Sequence, residues 1–140
     1  MTDAATRHGI RFAVLGVDHP RAIELTAGLL AAGAECVGWA DPSDAGSLFA
    51  ALFPGLPRHG VDELLAAGPD LAVVVAIPVE RAALAVAAMD AGADVLTAKP
   101  GVIDPGQLEL VAAATRRTGR RWWVAFTEHL TSRAVIRAER

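Results

Sequence analysis

Residues 71–77 read Leu-Ala-Val-Val-Val-Ala-Ile, seven apolar residues in a row with no polar alternation. A strand with one wet face alternates, so a run like this is covered on both faces, as an inner strand of a parallel sheet is. Parallel strands are joined by crossover connections of about a dozen residues or more, usually helical, so the rest of the chain should alternate strand and helix. It does. A strand over 10–15 is closed by Gly16, and Pro20 suits the first position of a helix running to about residue 32, with Gly33 ending it. A second strand over 35–40 stops at Asp41-Pro42, a short helix over 45–53 breaks at Pro54-Gly55, and another over 62–67 ends at Gly68-Pro69. Past the apolar run come a helix over 80–91 with Gly92 behind it and a strand over 94–97. A helix over 105–118 follows, opened by Asp104 and closed by Gly119, and then a strand over 121–126. The expected fold is α/β: a doubly wound parallel sheet of five or six strands, first strand central, in a Rossmann-like three-layer sandwich.

At 140 residues the chain supports one core, and 53% hydrophobic content excludes disorder as its main state. Alanine supplies 30 residues and aromatics only 5%, so the apolar surface is made of small groups that let helices pack closely on a sheet. The longest apolar stretch, 71–79, has nine residues including Pro78, against about 20 for a membrane span. A lone Cys36 and a start with neither basic nor apolar leader fit the cytoplasm, and a net charge of −3 argues against nucleic acid as a partner. Four scattered histidines lack ligand spacing, so no metal site is expected.

Ligands of doubly wound sheets bind outside the carboxyl ends of the strands, which singles out four places. The turn Gly16-Val17-Asp18-His19-Pro20-Arg21 sits where a dinucleotide fold carries G-x-G-x-x-G, but only the first glycine is present. Asp18 stands at the second, where its carboxylate can cap the helix and opposes a phosphate, while His19 and Arg21 supply cation. Asp41 follows the first glycine by 25 residues, near the usual offset of the acid that holds an adenosine ribose; a plain turn aspartate reads equally well. Pro78 lies behind the apolar run. Lys99-Pro100 lies behind the strand over 94–97, and Lys99 is the only lysine beside 12 arginines. An ammonium there can polarise a carbonyl or, once desolvated, shuttle a proton; a solvated loop lysine is the plain alternative. The basic run Arg116-Arg117-Thr118-Gly119-Arg120-Arg121 reads as cations at a helix end complementing its dipole.

These pieces in this order resemble the N-terminal dinucleotide-binding domain of the Gfo/Idh/MocA oxidoreductases, the family of glucose-fructose oxidoreductase and inositol 2-dehydrogenase. The resemblance runs from residue 10 to about 138. It rests on the stretch 10–16, on Trp39-Ala40-Asp41-Pro42, on Asp62-Glu63-Leu64-Leu65, on 69–78, and on 91–100, which is similar to the family's "aG-x-x-V-l-x-E-K-P". It implies a catalytic role for Lys99 beside nicotinamide and substrate. It also implies a cofactor site of Gly16, Val17, Asp18, His19, Asp41, Pro78, Lys99 and Pro100, with NAD favoured over NADP by Asp41. Three departures stand out. The glycine loop is depleted, Ala98 replaces a glutamate, and 78–81 lack the Asn and His of P-N-x-x-H.

The expected organisation is a tail over 1–9, a dinucleotide-binding domain over 10–129, and over 130–140 the start of a helix linking to a second domain absent from this chain. The expected function is the nucleotide-binding part of an NAD-dependent oxidoreductase acting on a small molecule: a sugar, polyol or related hydroxyl compound. The chain alone should be inactive, and it should form a homo-oligomer or need the missing domain. A non-catalytic Rossmann-like protein binding a nucleotide or a partner is the competing expectation, favoured by Ala98 and the depleted loop.

Overall fold

The computed structural model describes residues 9–43 and 46–126. Five strands, β1 Arg11–Leu15, β2 Glu35–Ala40, β3 Leu71–Val74, β4 Asp94–Ala98 and β5 Trp122–Ala125, form one sheet in the order β2-β1-β3-β4-β5. Every pairing is parallel. A rudimentary sixth strand lies outside β2. Trp39 donates its N–H to Pro57 O at 3.0 Å and accepts from His59 N at 2.9 Å, a single parallel bridge. The reversal of strand order falls between β1 and β3, so the cleft of a doubly wound sheet opens above these two.

Among the described residues five helices cover the sheet: α1 Pro20–Ala31, α2 Ser47–Leu52, α3 Val61–Ala66, α4 Pro78–Asp90 and α5 Pro105–Thr118. Two-residue alternation sorts the core. Ala13, Leu15, Ala72, Val74 and Val95 point to one face with Leu64 of α3, Ala85 and Met89 of α4 and Val111 of α5. Phe12, Val14, Val73 and Val75 point to the other with Ala22 of α1 and Phe49 of α2. The apolar run is therefore buried on both faces, as its lack of alternation requires. Each fully buried Val, Leu or Phe contributes about 1.5–3 kcal/mol. Alanines at 82, 85 and 88 let α4 lie close to the sheet.

Local punctuation fixes most boundaries. Pro20 and Pro105 open their helices, the Asp104 carboxylate accepts from Gln107 N at 2.8 Å, and Gly119 ends α5 in the left-handed conformation, φ +70. The apolar run departs from expectation. β3 ends at Val74: Val75 is still tied to β1 through Leu15 O, Ala76 crosses the β1–α1 turn at Gly16, and α4 begins at Pro78 rather than at 80. The short helix expected over 45–53 is Ser47–Leu52, and the expected tail helix over 130–140 lies outside the described residues. No helix among the described residues is long and apolar enough to cross a membrane.

Candidate functional site

Register brings the carboxyl ends of the strands level. Leu15 pairs with Ala40 and Val74, and Val74 pairs with Thr97. The residues that follow these pairs therefore share one edge, in the spatial order Asp41, Gly16, Pro78, Lys99. Three strand spacings, roughly 14 Å, separate the ends of β2 and β4.

Gly16 makes the cleft possible. Its φ is +85, and a Cβ there would lie 2.3 Å from the backbone N and Cα of Ala76. The β1–α1 turn and the segment leaving β3 thus cross at main-chain contact, which only glycine permits. Gly16 N donates to Ala40 O at 2.7 Å, and Val17 N donates to Asp41 Oδ2 at 2.7 Å. The other carboxylate oxygen of Asp41 accepts from Ser43 N at 2.8 Å and from Ser43 Oγ. Asp41 is therefore a preorganised acceptor lashed to the turn. A carboxylate offers about four acceptor sites, so Oδ2 keeps one for a hydroxyl. Asp18, Asp41, Pro42, Ser43, Ala76, Ile77 and Glu80 line a cavity of about 100 Å³ beside it.

Asp18 does not cap α1 as expected. His19 is the N-cap, and its Nδ1 accepts from Arg21 N at 3.1 Å, because the histidine stands immediately before the helix in extended backbone. Asp18 is exposed on the cavity rim and acts electrostatically on Arg81. Its charge is thus set against a cation supplied by α4, which the sequence alone did not pair with it. Pro78, expected in the loop behind the strand, is the first residue of α4 and is missing from both cavity linings at this edge. Val17, Asp18 and His19 also border a second cavity of about 260 Å³, closed by Phe49 and Leu48 of α2.

Lys99 and Pro100 are exposed and follow β4 directly. The turn itself is firmly held. Arg81, 3% exposed, donates from Nε to Ala76 O at 2.6 Å and from Nη1 to Ala98 O at 2.9 Å and Pro100 O at 2.8 Å. Desolvation pushes its pKa below the usual guanidinium value, with the Asp18 carboxylate opposing. Thr97 Oγ1 donates to Val74 O at 2.9 Å, and Gly101 lies on Trp122, where a Cβ would come within 2.6 Å of the ring.

Two residues were missed. Arg81 falls with Ala85 and Ala88 on the buried stripe of α4, and a cation on an apolar stripe was the available signal. Arg58 was also overlooked, since no arginine neighbours Asp41 in sequence. The sixth-strand bridge brings its Nη2 to Ser43 O at 3.2 Å and Asp41 O at 3.4 Å, with the guanidinium 5.1 Å above the Trp39 ring. The basic run at the end of α5 serves its own surroundings: Arg117 pairs with Asp90 of α4, and Arg120 Nη1 donates to Gly92 O at 3.3 Å.

The donor set fits a dinucleotide at its ribose end, where Asp41 is fixed beside a cavity. It fits less well at the pyrophosphate turn, where Val17 N is already taken. No curated protein matches the chain. Among solved structures, a presumptive oxidoreductase from Erwinia carotovora atroseptica SCRI1043 is 36% identical, with a TM-score of 0.85 over 92% of this chain and 40% of its own. The WlbA (WbpB) dehydrogenase from Thermus thermophilus, solved with NAD and UDP-GlcNAcA, is 21% identical, with a TM-score of 0.78 over 93% of this chain and 46% of its own. A biliverdin reductase from Synechocystis sp. PCC 6803, solved with biliverdin and NADP+, is 21% identical, with a TM-score of 0.73 over 86% and 39%. The chain thus spans less than half the length of these structures. The sequence model of the Gfo/Idh/MocA oxidoreductases, described as an oxidoreductase family with an NAD-binding Rossmann fold, matches residues 10–126. By that match and by its parallel sheet, this chain belongs to the Gfo/Idh/MocA family through its NAD-binding Rossmann domain.

Proposed function

We propose that the chain is the nucleotide-binding part of an NAD-dependent oxidoreductase that acts on a sugar, polyol or related hydroxyl compound. The observation that carries this reading is Asp41, held by Val17 N and Ser43 beside a cavity at the strand-order reversal, in a member of this family. Asp41 accepts from ribose hydroxyls through its remaining acceptor site. The amides of Asp18 and His19, at the α1 end of the turn, would take the pyrophosphate. Bound nicotinamide supplies hydride transfer to or from the substrate carbon. Lys99 donates from its ammonium to the substrate oxygen and stabilises charge developing there. NAD is preferred over NADP because Asp41 repels a 2′-phosphate, and Arg58 is committed to two carbonyls and the Trp39 face.

The chain spans less than half the length of the matched structures, and substrate orientation and further proton transfer belong to the remainder of such a protein, beyond a nucleotide domain over 10–129. A cytoplasmic location belongs to the same reading, supported by the single cysteine. The exposed Asp18 carboxylate on the cavity rim favours one competing reading, a nucleotide- or partner-binding protein without chemistry. The experiment that separates them is Lys99→Ala in a protein extended past Arg140. The proposal expects turnover to fall at least tenfold while NAD affinity changes less than threefold. An unchanged rate refutes the role of Lys99.

A further inference from the structure

We propose that Arg81 is a positioning residue that holds Lys99 at the nucleotide cleft by clamping the turn that carries it; this rests on the reading of the cleft given above. The carbonyls of Ala98 and Pro100, immediately before and after Lys99, both accept from Arg81 Nη1, and Ala76 O accepts from Nε. One guanidinium therefore ties the Lys99 turn to the segment that crosses Gly16, so the two walls of the cleft are set by the same side chain.

Arginine suits this task because its donors lie in a rigid planar fork, and the fork here spans three carbonyls from two separate segments. A lysine in its place carries a single nitrogen. The clamp lies deep, on the stripe of α4 shared with Ala85 and Ala88, where an aliphatic side chain fills space without burying a charge. None of its three hydrogen bonds goes to a carboxylate; all go to main-chain oxygens around Lys99 or at the crossing. From the other side the turn rests on Trp122 through Gly101. The backbone flanking Lys99 is thus held both by Arg81 and by the Gly101–Trp122 contact, while Lys99 itself is an exposed residue directly behind β4.

Lys99 is the only lysine, so its amine can be observed selectively. Reductive methylation of the full chain with [13C]formaldehyde keeps the charge and gives one dimethyl-lysine NMR signal besides that of the α-amine. We compare wild type, Arg81→Met and Arg81→Lys with and without NADH, measuring NADH affinity by fluorescence titration and folding by circular dichroism. The expected result is a Lys99 signal that shifts with NADH in wild type. In folded Arg81→Met that shift falls to less than half while NADH still binds within about tenfold. Should Arg81→Met not fold, Arg81→Lys decides, with the same loss expected because it lacks the fork. A wild-type NADH-induced shift retained in the folded variants overturns the positioning role and leaves the cleft reading intact. Absence of NADH binding in wild type overturns the cleft reading and the positioning role together.

Discussion

Replacing Gly16 by alanine tests the crossing on which the cleft depends. The new Cβ would lie 2.3 Å from Ala76 N and Cα and 2.6 Å from Ala76 Cβ, where ordinary carbon contacts are about 3.5–4.0 Å. The two segments must part by more than about 1 Å. Neither is free to move: Gly16 N is bonded to Ala40 O, Val75 N to Leu15 O, and both strands are buried. Overpacking of this kind costs about 1–3 kcal/mol, and a left-handed backbone imposed on an L residue costs about 1–2 kcal/mol more. Reduced freedom of the unfolded chain returns about 0.4–1 kcal/mol, which leaves a destabilisation of roughly 1–4.6 kcal/mol. With a urea slope near 2 kcal/mol/M, the midpoint falls by about 0.5–2.3 M at unchanged slope. Urea unfolding of both proteins followed by circular dichroism checks this. Gly33→Ala is the control, since nothing lies within 4 Å of a Cβ there and only its φ of +89 is strained. A Gly16→Ala midpoint equal to that of Gly33→Ala would show that the crossing is loose.

Asp18→Gly removes a negative charge from the turn and should tighten NAD binding by threefold or more; weaker binding by calorimetry would show that the carboxylate matters more as a partner of Arg81. Arg58→Ala should leave the low NADP affinity unchanged, because its guanidinium is held by Asp41 O, Ser43 O and Trp39; a further loss of NADP binding would place it on the 2′-phosphate. Burial pushes the Cys36 thiol up, with a backbone hydrogen bond at Gly38 opposing, so the native thiol should alkylate more slowly than the urea-unfolded one at pH 8.5. A raised folded pKa means that this stabilisation is present below the unfolded value and is lost as pH rises through the folded one; equal alkylation rates in the two states would contradict it. Leu108, Leu110, Trp123 and Phe126 are all at least 44% exposed, so the isolated chain should self-associate; a strict monomer in sedimentation at high concentration would refute this.

Much of this architecture is legible because its determinants are local. Asp41-Pro42 stops β2, and Asp104 with Gly119 brackets α5, each within a few residues of the boundary it sets. The apolar run announced an inner parallel strand but not its end, because Ala76 crosses the turn at Gly16, 60 residues earlier. The site divides in the same way. Asp41 and Lys99 are visible as residues that follow strands. Arg81 and Arg58 act through carbonyls 15 to 19 residues away that only the finished sheet brings near, apart from Ala76 O at five. The missing glycines of the turn were plain in the sequence, but the lashing of Asp41 to Val17 N was not, since it needs β1 and β2 in register.

The central claim is that this edge binds the dinucleotide, and isothermal titration of NAD and NADP into the purified chain tests it directly. The account predicts saturable binding of one NAD with a dissociation constant of roughly 0.1–1 mM, NADP weaker by about tenfold or 1.4 kcal/mol, and loss of that preference in Asp41→Asn. No heat from either nucleotide at millimolar concentration, or tighter binding of NADP, would contradict it.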